Sequence, residues 1–127
     1  MRLLLDTNIL IALSPRSGRT LNARFTAAIH GPESVSFASV ASLWEVAIKT
    51  RLRKLDTGLS PVDFAGFLEA IGVILLPINR DHVLAELDPE PATRDPFDRL
   101  LLAQCQIENL LLVTRDRTLS AHPLAWK

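Results

Sequence analysis

Four acidic residues lie where a folded chain can bring them together. Asp6 directly follows the apolar run LLL, and Asp116 comes shortly after the run LLLV. Glu45 and Asp98 lie in apolar patterns with helical spacing. Asp98 is one of two aspartates in RDPFDRLLLAQCQ; the other is Asp95. Carboxylates gathered at one place are suited to binding a divalent cation, so these four residues are the candidate functional group.

The candidate chemistry is metal-dependent hydrolysis. Packed acidic side chains repel one another and are costly to desolvate, unless a cation compensates their charge. Oxygen ligands without His or Cys favour Mg²⁺ or Mn²⁺. An ion bound in this way can lower the pKa of a water molecule and stabilise charge on a leaving oxygen. The pattern therefore points to phosphodiester chemistry.

Histidine gives no support for a zinc site. His30, His82 and His122 are scattered along the chain without the spacing of zinc ligands. We interpret all three as surface residues.

Each acid also has a purely structural interpretation. Asp6 can cap the helix that begins at TNIL, Asp116 can begin the turn TRDRTLS, and Glu45 can lie on a solvated helix face. Asp98 can form a capping pair with Asp95. However, the proline after Asp95 prefers the first position of a helix, which makes Asp95 the better cap. We therefore expect Asp98 to be free to act as a metal ligand.

Polar neighbours of these acids can orient them. Thr7, Asn8 and Thr114 flank two of the acids, and we expect them to fix ligand orientation. The alternative for Thr7 and Asn8 is that they only satisfy free N–H groups at a helix start.

Basic residues near the acids can contact phosphate groups or a protein partner. The candidates are Lys49, Arg51, Arg99 and Arg115. Phosphate contacts of this kind give affinity without sequence reading. A solubilising surface remains the alternative for each of them.

The overall composition predicts one globular domain, residues 1–127. The chain is 48% hydrophobic, and its 14 basic residues balance 14 acidic ones, so there is no global signal for nucleic acid or membrane binding. The single cysteine, Cys105, suits a reducing compartment. The apolar segment AIGVILLPI is far shorter than the roughly 20 residues of a membrane span. We expect a soluble, cytoplasmic protein.

Short apolar strands alternate with helical patterns along the chain. The predicted strands are Arg2–Leu5, Val35–Ala38, Val73–Leu76 and Leu110–Val113, with PLAW as a possible edge strand. The predicted helices cover 9–13, 20–29, 39–52, 61–71, 81–87 and 96–109. This order predicts an α/β fold with a parallel sheet and helices on both faces. Such sheets bind ligands at the carboxyl ends of their strands.

Four segments resemble the PIN-domain family, with the VapC-type toxins of bacterial toxin–antitoxin pairs as the closest subgroup. They are LLLDTN, SLWEVAIK, DPFDRLLLAQ and LVTRD, in this order along nearly the whole chain. The resemblance implies a three-layer α/β/α domain. It also implies a Mg²⁺- or Mn²⁺-dependent ribonuclease whose site is formed by Asp6, Glu45, Asp98 and Asp116. It further implies a homodimer and a small antitoxin that covers the acidic site.

Two other classes remain open. One is phosphoryl transfer through an aspartyl phosphate at Asp6, although no lysine follows LLLVTRD closely, as such sites usually require. The other is a PIN-like module without activity that only binds RNA or a protein partner.

Overall fold

A computed structural model describes all residues, 1–127, and contains one four-stranded sheet. The strands are β1 (Arg2–Leu5), β2 (Val35–Ser39), β3 (Ile74–Leu76) and β4 (Leu111–Val113). Their order is β3-β2-β1-β4, and every pairing is parallel. The four strand predictions are confirmed to within one residue at each end.

Seven helices surround this sheet. They are α1 (Thr7–Leu13), α2 (Ala23–Ile29), α3 (Val40–Arg51), α4 (Pro61–Ala70), α5 (Arg80–Leu84), α6 (Pro96–Glu108) and α7 (Arg117–Ser120). None of them combines the length and the apolar character that crossing a bilayer requires.

The predicted helices differ from the observed ones mainly at their ends. The helix expected from residue 20 begins at Ala23, because the Asn22 side chain caps it by accepting the Phe25 N–H at 3.0 Å. The segment TRDRTLS forms the short helix α7 instead of a plain turn. The tail PLAW forms no strand; it makes one isolated bridge, between Leu112 and Ala125. That part of the structural prediction was wrong.

Alternating side chains of the strands divide the apolar core into two layers. Leu3, Leu5 and Val113 face a cluster that includes residues of α1 to α4. Leu4 and Leu112 face the opposite cluster, which includes residues of α6 and α7. Because successive strand residues point to opposite faces, both faces are covered by helices. This confirms the predicted three-layer α/β/α architecture.

Candidate active site

The acidic residues that follow β1 and β4 lie at the carboxyl edge of the sheet. β1 and β4 are parallel neighbours, with Leu5 paired to Val113. Asp6 follows β1 at once, and Asp116 caps α7, which follows β4. From β1 the chain builds the sheet in one direction through β2 and β3, and β4 is then added on the other side. The gap between β1 and β4 is therefore the topological switch point, where ligands bind in open α/β sheets.

Asp6 is a buried carboxylate with only 5% of its surface exposed. Its Oδ1 accepts the Thr7 backbone N–H at 2.8 Å, and its Oδ2 accepts the Thr114 hydroxyl at 2.7 Å. Burial raises the pKa of Asp6, and the negative charges of Glu45 and Asp116 raise it further, although both hydrogen bonds oppose the shift. Asp6 is thus held in place while its charge is left without an opposite charge.

Glu45 approaches Asp6 from α3 through the side chain of Thr7. The Thr7 hydroxyl lies 2.8 Å from Glu45 Oε1 and 2.9 Å from the hydroxyl of Ser42. The other oxygen, Glu45 Oε2, accepts a hydrogen bond from Lys49 Nζ at 2.6 Å. Thr7 therefore bonds to Asp6 through its backbone N–H and to Glu45 through its side-chain hydroxyl.

Asp116 is exposed and joins the same hydrogen-bond network from the other side. Its Oδ1 accepts the Leu119 N–H at 3.0 Å, which caps α7. Its own N–H donates to the Thr114 hydroxyl at 3.0 Å, and that hydroxyl donates to Asp6. Two threonines therefore bridge these residues: Thr114 bonds to the Asp6 carboxylate and the Asp116 N–H, and Thr7 bonds to Asp6 through its N–H and to Glu45 through its hydroxyl.

Asp98 lies in the first turn of α6, three residues after the cap. Asp95 is the cap, as expected, since its Oδ1 accepts the Phe97 N–H at 2.8 Å. Burial raises the pKa of Asp98 to about 7, and the charges of Asp95, Asp6 and Asp116 add to the rise. A hydrogen bond of 3.3 Å from the Thr93 hydroxyl opposes it. Because the charges of Asp6 and Asp116 affect the pKa of Asp98, Asp98 lies near the acids at the sheet edge.

The donor set at this edge fits a hard divalent cation. The ligands on offer are carboxylate oxygens, with threonine hydroxyls behind them, and this is the chemistry of Mg²⁺ and Mn²⁺ sites. As the side chains are placed, no three His, Cys, Asp or Glu residues form a complete cation site. The raised pKa values of Asp6 and Asp98 indicate acids that lack a compensating positive charge.

Comparison with known proteins identifies the family. A family model described as PIN domain matches residues 3–123. The chain belongs to the PIN-domain family. No curated protein sequence matches this PIN domain.

Two solved structures share the PIN fold of this chain. VapC20 of Mycobacterium tuberculosis, a toxin that cleaves the sarcin–ricin loop, has a TM-score of 0.63 and 18% identity; the match covers 94% of this chain and 93% of that one. A chain of VapBC2 from Rickettsia felis, bound to a promoter DNA fragment, has a TM-score of 0.62 and 17% identity. That match covers 98% of this chain and 96% of the other. At such identities the likeness concerns the fold.

The orienting residues of this PIN domain differ partly from those expected. Thr7 and Thr114 contact acids, but Asn8 is exposed and its Oδ1 accepts a hydrogen bond of 3.1 Å from Arg19. Ser42 and Thr93 contact the network and were missed. The position of Ser42, three residues before Glu45 on one helix, was the available signal, because such residues share a helix face.

The four basic candidates make different contacts in this PIN domain. Lys49 pairs with Glu45, Arg99 pairs with Glu90 at 3.1 Å, and Arg115 donates to the Thr20 carbonyl at 3.0 Å. Arg51 is exposed at the end of α3. Their contact with RNA or an antitoxin stays a prediction.

The prediction of three surface histidines was wrong for two of them. His82 is 1% exposed and His122 is 6% exposed, whereas His30 is exposed. His82 Nδ1 accepts the Asn79 N–H at 3.1 Å, and its Nε2 lies 2.7 Å from Glu108. His122 is bonded through Nε2 to the Pro89 carbonyl, at 2.8 Å. Both rings are buried because backbone and carboxylate partners satisfy their nitrogens.

Proposed function

We propose that this PIN domain is a Mg²⁺- or Mn²⁺-dependent endoribonuclease and the toxin of a VapC-type toxin–antitoxin pair. One observation carries the proposal. Asp6, a buried aspartate at the switch point, is bridged by Thr114 to Asp116 and by Thr7 to Glu45, and its pKa is raised by burial and by the charges of those two acids. Networks that only stabilise a fold normally pair opposite charges.

Asp6, Asp98 and Asp116 would hold the ion, with Glu45 as a direct or water-mediated ligand. A bound divalent cation supplies activation of water and stabilisation of charge during phosphodiester hydrolysis. The chain would hold the carboxylates in register: Thr114 fixes Asp6 Oδ2 at 2.7 Å, and Thr7 fixes Glu45 Oε1 at 2.8 Å. Glu45 can alternatively take a proton from the attacking water. The expected products carry 5′-phosphate and 3′-hydroxyl ends.

The structural neighbours support RNA as the substrate and an antitoxin as a partner. VapC20 is described as a toxin that cleaves the sarcin–ricin loop, and VapBC2 is a complex bound to promoter DNA. The acids of the site repel one another, and a positively charged group of a partner would reduce that repulsion. The site therefore fits a basic partner. Lys49, Arg99 and Arg115 would then contact RNA phosphates or the antitoxin.

An apolar surface beside the acids also fits a protein partner. Trp44, next to Glu45, is 62% exposed, and its ring meets Phe97, next to Asp98, with centroids 5.6 Å apart. Trp44 therefore belongs to the surface and not to the core. A homodimer remains a prediction from the family resemblance, and a cytoplasmic location remains a prediction from the composition.

The two other classes have less support. Phosphoryl transfer through Asp6 usually requires a lysine near the end of a later strand, and the chain has no lysine closely after β4. Lys49 is paired with Glu45 instead of lying near β4. A non-catalytic PIN module has no need for four acids in repulsion, and the experiment below separates it from a nuclease.

A cleavage assay with two matched variants tests the proposal. Purified protein without antitoxin is incubated with a structured RNA, with and without Mn²⁺, beside Asp98→Asn and Asp95→Asn. Both variants change one aspartate of the same helix turn in the same way. We expect Mn²⁺-dependent cleavage in the wild type and in Asp95→Asn, since asparagine also caps helices, and none above background in Asp98→Asn.

Three other outcomes would contradict the proposal. Binding of RNA without cleavage at any Mn²⁺ concentration would favour the non-catalytic module. Labelling of the protein by a phosphodonor would favour phosphoryl transfer. Equal cleavage by both variants would remove Asp98 from the site.

A further inference from the structure

We propose that Ser42 and Thr7 form a hydroxyl relay that fixes Oε1 of Glu45 and leaves Oε2 as the oxygen that exchanges Lys49 for a divalent cation. This inference rests on the proposed function. It goes further because it makes Ser42 a positioning residue and distinguishes the two oxygens of Glu45.

The direction of the relay follows from the hydrogen-bonding capacity of each group. A glutamate carboxylate paired with lysine only accepts hydrogen bonds, so the Thr7 hydroxyl must donate to Glu45 Oε1. A hydroxyl has one proton, so Thr7 cannot also donate to Ser42. The Ser42 hydroxyl, at 2.9 Å, must therefore donate to Thr7. Ser42 therefore donates a hydrogen bond to Thr7, and Thr7 donates one to Glu45.

This relay is buried and built from rigid elements. Ser42 is 1% exposed and Thr7 is 5% exposed. Ser42 and Glu45 lie three residues apart on α3, so both face the start of α1. Thr7 is also held by its backbone N–H, which donates to Asp6 at 2.8 Å. A buried hydroxyl that loses its partner incurs a desolvation penalty, so this side of Glu45 has little freedom to move.

The other oxygen of Glu45 has a replaceable partner. Lys49 is 48% exposed at its side chain and pairs with Glu45 Oε2 within one helix turn. Such pairs contribute little stability, and the lysine ammonium can return to water. Lys49 thus occupies the position of a cation on the one oxygen that the relay leaves free. A divalent ion bound by Glu45 would have to displace it.

The two sides of Glu45 therefore predict opposite changes in metal affinity. Binding of Mn²⁺ to the antitoxin-free protein is measured by isothermal titration calorimetry. We expect Ser42→Ala to weaken Mn²⁺ binding about tenfold, the lower end of the range for residues that orient metal ligands. We expect Lys49→Met to tighten binding about twofold, because it removes a competing cation of modest strength.

A second pair of variants, at Thr7, tests the relay if Ser42→Ala folds poorly. Thr7→Val removes the relay hydroxyl but keeps the side-chain shape, whereas Thr7→Ser keeps the hydroxyl. We expect the valine variant to bind Mn²⁺ about tenfold more weakly and the serine variant to bind like the wild type. Thermal melting of each variant confirms that it is folded.

A double-mutant cycle separates positioning from a purely structural role. If Ser42 acts through Glu45, Ser42→Ala has no effect on Mn²⁺ affinity once Glu45→Ala is present. An equal loss in both backgrounds, or unchanged affinity in Ser42→Ala and Thr7→Val, would overturn the relay while the wild type still binds Mn²⁺ and cleaves RNA. A wild type that binds no Mn²⁺ would overturn the relay and the proposed function together.

Discussion

The acidic side chains at the two ends of α6 have opposite surroundings. At its last residue, Glu108 meets the ring of His82 at 2.7 Å, and the other ring nitrogen accepts the Asn79 N–H. In its first turn, Asp98 faces the charges of Asp95, Asp6 and Asp116. At one end of the helix an acid has a hydrogen-bond donor as its partner, whereas at the other end an acid lies near further acids that repel it.

Structural and functional polar groups in this fold differ in whether their neighbours satisfy them or repel them. The His82 end is explained by stability, because each buried nitrogen has a partner. The Asp98 end costs stability, since burial and like charges both disfavour the ionised acids. Hydrogen bonds from threonines offset this cost only in part, and the remaining cost is the physical reason for assigning function to that end.

The largest effect should come from adding the cation. With free Mn²⁺ about 100-fold above its dissociation constant, linkage predicts a gain of about 2.7 kcal/mol in the free energy of unfolding. We expect this gain in the wild type and its loss in Asp6→Asn, measured by denaturant melts with and without Mn²⁺. In the absence of metal, Asp6→Asn should be at least as stable as the wild type because a repelling charge is gone.

An equal gain in the wild type and in Asp6→Asn would mean that Mn²⁺ binds elsewhere. The control is His82→Ala, which alters the opposite end of α6 and should keep the full Mn²⁺ gain.

The next effect concerns stability at the His82 end. His82→Ala leaves the Asn79 N–H, in a partly buried hydrogen bond, without its acceptor and Glu108 without its donor. We expect a loss of about 2 kcal/mol in the free energy of unfolding, with unchanged Mn²⁺ affinity. The matched control is His30→Ala, an exposed histidine, which should change stability little. Weaker Mn²⁺ binding in His82→Ala would erase the distinction between the two ends.

The sequence predicted the acidic end better than the histidine end for a physical reason. Asp6 and Asp116 directly follow or flank apolar strands, and parallel strands must bring their carboxyl ends to one edge. The sheet and the Asp95 cap followed from apolar runs and from the proline after Asp95. These signals are local, so a single sequence contains them.

The missed features depend on contacts between distant segments. His82 meets Glu108 across 26 residues of chain, and Ser42 meets Thr7 across 35. Asn79 contacts His82 locally, three residues earlier, but burial of the ring requires α5 to pack on α6. The contact of Asn8 with Arg19, in the segment between α1 and α2, is likewise not visible in the sequence, and the role of Asn8 in orienting a ligand stays a prediction.

A smaller effect is the pH dependence of the metal-free protein. The folded state raises the pKa of Asp98 from 3.8 to about 7, so between these values the folded chain holds a proton that the unfolded chain has lost. The stability of the folded state therefore falls as the pH rises through this window. Because Asp98 is only half-buried, water screens much of the shift, and we expect a contribution of about 1 kcal/mol.

The difference between wild type and Asp98→Asn isolates this contribution. Denaturant melts in EDTA across the window should show a steeper fall for the wild type than for the variant. Parallel curves for the two proteins would contradict the raised pKa. Asp95→Asn should lie between them, because the charge of Asp95 contributes to the rise while burial is its largest cause.

The smallest effect tests the exposed side of α6, where Arg99 pairs with Glu90. Glu90 is exposed and Arg99 is partly exposed, so Glu90→Gln should change stability by less than about 1 kcal/mol. If Arg99 contacts an RNA phosphate, Arg99→Ala should lower the slope of log affinity against log salt by about 1, while Glu90→Gln leaves it unchanged. RNA binding is measured in the Asp98→Asn background to prevent cleavage. An unchanged slope in Arg99→Ala would show that this arginine serves its pair with Glu90, and that α6 contributes an acid but no cation to the site.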